Sequence, residues 1–282
     1  MDRLLEILSY EFVRNALVAG ILASVLCGLV GTFVVVKRLV FISGGISHAA
    51  FGGLGMCYFL GLNPTLGAVA VAVLCAVTLG LADSEHVESR DAMIGVLWAV
   101  GMAVGIIFIH LTPGYAPNLM TYLFGNILTV SRGDLIMSLA LDGAVVSIVV
   151  LFFKEFVAIA FDETFAAVQG IPVRALLTLL LVLIALSVVV LIQVVGIVLV
   201  IALLTIPPLI GLMLVRDFVG VLLASIGVGL AITLVGLCLS YVYDVPSGPA
   251  IVLLGALLMA VVYLAQKVRR ASVRVLPDGP RA

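Results

Sequence analysis

The chain has 282 residues, 64% of them hydrophobic and 10% charged, with a formal net charge of −1 and a mean hydropathy of +1.39. Soluble domains carry roughly 45–50% apolar and about 25% charged residues, and 14 basic plus 15 acidic side chains cannot cover a water-soluble surface on a chain of this length. A soluble enzyme, a disordered protein and a nucleic-acid binder are excluded, which leaves a polytopic membrane protein.

A bilayer core takes about 20 apolar residues per helix, so the gaps between charges mark the spans. The N-terminus opens with Asp2, Glu6 and Glu11 and lacks the basic start of a signal peptide. Asn15–Val36 is one span, and Leu39–Ala82 holds two, split by Asn63-Pro64. Ala92–Ser131 holds one, ending near Leu111, then Thr112-Pro113-Gly114 and a short apolar piece around Tyr122–Leu128. Leu135–Phe153 is one span, interrupted by Asp142. Ala175–Val215 holds two that turn near Val194–Gly196, and Phe218–Tyr243 and Val245–Gln266 are the last two. The expectation is a single all-α transmembrane bundle over residues 1–282 with nine spans, eight or ten being the alternatives. A cytoplasmic loop or helix at 154–171 and a basic cytoplasmic tail at 268–282 complete it.

Basic residues gather on the cytoplasmic side of membrane proteins. With the C-terminal tail inside, Lys37, Arg38, Arg90, the Lys154–Arg174 segment and Arg216 also fall inside. That puts 11 basic residues there, against Arg3, Arg14 and Arg132 outside. Nine spans then place the N-terminus outside. Cys27, Cys57, Cys75 and Cys238 lie inside apolar stretches and form no metal or redox motif. No Gly-rich phosphate loop with a following Lys and Ser or Thr occurs. Chemical energy must therefore come from a partner chain or an ion gradient.

Four features can carry function. The Lys154–Arg174 segment alternates Phe156, Ile159, Ala160, Ala166, Ala167 and Ile171 with Glu155, Asp162, Glu163 and Gln169 at helical spacing. Asp162 can cap a short helix running to Gly170. The segment reads either as a connecting loop with an interfacial helix or as a coupling helix for a cytoplasmic ATPase. His48 sits mid-span, with Gly44 and Gly52 one turn to either side and Ser47 beside it. That pattern fits close helix packing, or an imidazole facing an open pathway in which the glycines leave a gap. Neutral imidazole is a common ligand for Zn, Mn or Fe. Asp244, before Pro246, is either a helix-end carboxylate in water or a hard oxygen ligand at the outer mouth. Asp142 lies at a helix centre, where a carboxylate costs about 2.5–3.5 kcal/mol on insertion scales, so it faces protein or a cavity, or is protonated. His86 and His110 read as a loop residue and an interfacial residue, and Pro207-Pro208 as a kink.

Several stretches in order resemble one family: Gly31-Thr-Phe-Val-Val-Val-Lys-Arg38, Ile46-Ser-His-Ala49, Tyr122–Leu128, Phe161-Asp162 through Gly170, Val195–Pro208 and Tyr243-Asp-Val-Pro-Ser-Gly248. From about Leu17 to Ala265 the chain is similar to the permease subunits of metal-ion ABC importers. The resemblance implies an ABC-importer permease fold in a prokaryotic plasma membrane, not an enzyme itself. It implies that the chain imports divalent transition metal, zinc first, with manganese or iron as the alternatives. A second permease copy, two cytoplasmic ATP-binding subunits that hold the ATP, an extracytoplasmic solute-binding protein and surrounding lipid are the implied partners. No cofactor is expected on this chain. His48 and Asp244 are implied to line the metal pathway, with Asp142 as a secondary candidate and Gly44, Ser47 and Gly52 beside the histidine. Phe161, Asp162, Glu163, Ala167 and Gly170 are implied to meet the ATPase. The family carries Asp four residues before the histidine, where this chain has Gly44, so one ligand is lost. An ion-gradient carrier or membrane scaffold without an ATPase is the alternative.

Overall fold

A computed structural model describes residues 10–82, 87–113, 125 and 127–274; of residues 87–90 and 270–274 it describes the backbone alone. Among these residues eleven α-helices run in order: α1 (Glu11–Val36), α2 (Val40–Phe59), α3 (Pro64–Leu81), α4 (Val87–Leu111), α5 (Arg132–Leu151), α6 (Phe153–Phe161), α7 (Glu163–Val168), α8 (Val173–Val195), α9 (Ile197–Leu214), α10 (Phe218–Tyr243) and α11 (Ser247–Arg274). A short 3-10 turn, Ile127–Thr129, precedes α5. Nine of these helices are long and apolar enough to cross a membrane, the number expected from the charge gaps. Histidine 86, Tyr122 and Asn126 lie outside the described residues.

Local chemistry sets the ends. The Asn63 side chain accepts from the Thr65 amide at 2.9 Å, and Pro64 opens α3, where its missing N–H is no loss. Ser131 and Asp134 form a reciprocal capping box at the start of α5. Asp217 accepts from the Gly220 amide at 2.7 Å and starts α10. Between α8 and α9 a single residue turns the chain: Gly196 has φ 81° and ψ 160°, a conformation that only glycine adopts freely.

Helix packing runs through small residues, as it must where lipid supplies no hydrophobic contrast. A β-carbon on Gly52 would sit 2.8 Å from the Gly101 carbonyl oxygen, and one on Gly55 would sit 2.5 Å from that of Gly105. With Gly45 against Ile94, these contacts advance together along both helices, so α2 and α4 are parallel. The same glycine-on-glycine contact joins Gly53 of α2 to Gly67 of α3. On α1, Gly20, Ser24, Gly28 and Thr32 recur every fourth residue and face α10. The Ser24 hydroxyl lies 3.2 Å from Thr233 Oγ1, and a β-carbon on Gly28 would meet the Ile226 backbone. Such interhelical hydroxyl contacts are worth roughly 0.6 kcal/mol each, up to about 2.

Pro207 and Pro208 lie inside α9. Pro208 cannot donate to the carbonyl four residues back, so the Leu204 oxygen is freed. That oxygen faces Gly31 of α1, where a β-carbon would approach to 2.6 Å. The glycine lets its Cα–H lie against the orphaned acceptor.

Two elements differ from the sequence expectation. The 154–171 segment forms two helices, not one: α7 starts as expected, with the Asp162 side chain accepting from the Phe165 amide at 2.9 Å, and α6 is added ahead of it, with Phe156, Ile159 and Ala160 as its buried face. The last helix runs on through residues 268–274 of the expected tail, because nothing between Gln266 and Arg274 breaks a helix.

Candidate functional site

His48 lies in the middle of α2, and the backbone there is held by α4: a β-carbon on Gly101 would be 2.4 Å from Ala49 Cα and 3.1 Å from the His48 carbonyl oxygen. The imidazole stacks on the Trp98 indole, with ring centroids 4.2 Å apart and planes 12° apart. Its Nδ1 is buried and has no hydrogen-bond partner. Trp98 also tilts against Phe41 at 6.2 Å.

The expected gap beside His48 is corrected on one side. Gly52 does not open space, because it lies in backbone contact with Gly101. Ser47 is fully buried and its hydroxyl donates to the Ser43 carbonyl at 2.7 Å, so it satisfies itself within its own helix. Gly44 does face space. With Trp98, Val35, Phe41, Ile201 and Leu209 it lines an open groove of about 580 Å³, and Arg38 stands at its edge.

The three ionisable candidates are not brought together. Asp142 is 5% exposed and packs on the side of α5 that meets α1 and α8. The Ser138 hydroxyl donates to its Oδ2 at 3.3 Å, and its Oδ1 has no partner. Asp244 is exposed at the end of α10 with φ 52°, in the left-handed region, which Asp tolerates better than most residues. Among the described residues no group of three His, Cys, Asp or Glu side chains could hold a metal ion.

The elbow of α6 and α7 has a locked side and an open side. Lys37, at the end of α1, donates to the Ile159 carbonyl at 3.1 Å and pairs with Glu163. Asp162 is used as the α7 cap. Both carboxylates therefore have partners within the chain. The open side carries Phe161, Phe165 and Val168, exposed by 70%, 56% and 83%. Ala167 is exposed beside them, and Gly170 ends the elbow with φ 81°.

Sequence reasoning missed two residues here. Trp98 is the only tryptophan in the chain, but its meeting with His48 depends on the α2–α4 register. Lys37 was read as a topology signal, and its reach across 126 positions to Glu163 leaves no local trace.

Nine membrane-length helices among the described residues define a multi-pass membrane protein. The family model for the ABC 3 transport family matches residues 9–266. An uncharacterized membrane protein of Synechocystis sp. is 43% identical over 66% of this chain and 66% of its own length. The manganese transport system membrane protein MntC of Halalkalibacterium halodurans is 34% identical over 64% of this chain and 62% of its own length. The chain thus spans under two thirds of the length of these curated relatives. Among solved structures, PsaBC from Streptococcus pneumoniae in complex with Fab superposes with a TM-score of 0.81 at 29% identity, covering 90% of this chain and 91% of that one. The chain belongs to the ABC 3 transport family.

Proposed function

We propose that this chain is the membrane-spanning permease of an ATP-driven importer of divalent transition-metal ions. The observation that carries the reading is the family match across nearly the whole nine-span bundle. The exposed Phe161–Phe165–Val168 face supports it, because an apolar patch on a polar, basic-side segment suits docking into a groove on another protein. The ATPase is a separate chain, in two copies, and it holds the ATP. A second permease copy and an extracytoplasmic metal-binding protein complete the transporter.

Manganese is the cargo that the relatives' names favour. Zinc and iron share the chemistry of an imidazole plus a carboxylate. His48 and Asp244 are the residues on the metal's route, Asp244 at the outer mouth and His48 at the bilayer centre. Asp142 stands off that route, within α1, α5 and α8. The test is uptake of Mn²⁺, Zn²⁺ and Fe²⁺ by vesicles that hold the complete transporter. ATP-dependent, metal-stimulated accumulation is expected. Accumulation driven by an ion gradient without the ATPase would overturn the reading in favour of a carrier.

A further inference from the structure

We propose that Trp98 is the positioning residue of His48: the indole, in place of a hydrogen-bond partner, fixes the plane of the imidazole that meets the metal. The inference rests on His48 lying on the metal's route. A histidine that binds metal ordinarily donates its other N–H to a carboxylate or carbonyl, which sets the tautomer and the ring plane. Here Nδ1 is buried without such a partner. The α2 backbone cannot supply a different ring position, because Gly52 and Ala49 are in contact with Gly101. What holds the ring is the stack, 4.2 Å and 12° from parallel. Phe41 braces the indole from the cytoplasmic side.

A partner on the ring face occupies no lone pair, so the stack itself takes neither ring nitrogen out of use, although Nδ1 is closed off by its burial. It also withholds the hydrogen bond that would raise the imidazole's basicity, so the ligand is weaker than one backed by a carboxylate. A weak ligand suits passage, because an ion held tightly would not leave. Gly44 is the second half of the device. A β-carbon there would stand 3.4 Å from Trp98 Cζ3, in ordinary contact with the edge of the indole, so the position borders the stack directly. Trp98 and Gly44 both line the open groove, which gives the indole room to shift when a metal changes the ring it covers.

The chain holds one tryptophan, so its emission reports Trp98 alone. The full-length chain in lipid nanodiscs is titrated with Mn²⁺ and, separately, Zn²⁺. A saturable change in tryptophan emission is expected, and it should vanish in His48→Gln. Uptake by the complete transporter is measured beside it. Trp98→Phe keeps a ring to stack and should transport within about twofold of the parent. Trp98→Ala should raise the KM for metal about 10-fold, the low end of the loss seen when a metal ligand's orienting partner is removed, with kcat little changed. Full uptake by His48→Gln would overturn the pathway role of His48 itself. Loss of uptake in His48→Gln, with Trp98→Ala behaving like the parent or Trp98→Phe failing as badly as Trp98→Ala, would overturn the positioning role alone. So would an emission that stays flat on titration in the parent chain, a measurement that needs no variant to fold.

Discussion

At residue scale, glycines decide how closely the helices approach. Gly52, Gly101 and Gly31 each leave under 3 Å to a neighbouring backbone for an added β-carbon. Gly44 leaves 3.4 Å, and to the edge of a ring. Overpacking typically costs about 1–3 kcal/mol. Gly52→Ala, Gly101→Ala and Gly31→Ala should therefore each lower the Tm of the solubilised protein clearly, while Gly44→Ala should leave it nearly unchanged. Equal losses at all four positions in a thermal-shift series would refute the α2–α4 register. Gly44→Asp places a carboxylate on the turn below His48, beside the edge of the Trp98 ring. A changed emission should accompany any tighter metal binding in that variant.

At element scale, the α6–α7 elbow divides its residues between holding the chain and meeting a partner. Lys37 serves two acceptors, the Ile159 carbonyl and Glu163. Glu163→Gln removes one half-exposed ion pair, worth at most about 1 kcal/mol. Lys37→Met also strips the Ile159 carbonyl of its donor, an added cost of roughly 1–3 kcal/mol. The second variant should therefore melt lower than the first, and the reverse order would sink the latch. Charge changes at Asp162 or Glu163 disturb α7 itself, so they are poor probes of docking. Phe165→Asp with Val168→Asp alters the exposed face while leaving cap and latch in place. That double variant should insert normally but fail to copurify with the ATPase, and its retention at parental yield would argue against the docking face.

At the scale of the whole molecule, the spans and the positive-inside rule together predict which ends face the cytoplasm. With the four native cysteines replaced, a cysteine at position 132 or 244 should react with an impermeant maleimide from outside, and one at position 90 should not. Labelling at position 90 would invert the orientation. The bundle also shows large aliphatic side chains outward, among them Ile136, Leu139, Leu253 and Leu257. In water this would be a liability; in lipid it is the expected outer surface.

The number, order and length of the spans were legible in the sequence, because a charge inside a bilayer is expensive and each gap between charges had one or two helices' worth of residues. The elbow was half legible: its amphipathic spacing and the cap at Asp162 are local signals, but its latch to Lys37 joins residues more than a hundred positions apart. The site was legible as residue types and not as an arrangement. A lone histidine at a span centre declares itself, and so does a carboxylate at a span end. Whether the glycines beside that histidine open a gap or close a contact depends on which helix faces them. Here α4 meets Gly52 with its own Gly101 and meets His48 with Trp98. Composition fixes the solvent that each residue must tolerate. Only the register between helices decides which neighbour each residue has, and that register is set by steric fit summed over many distant pairs.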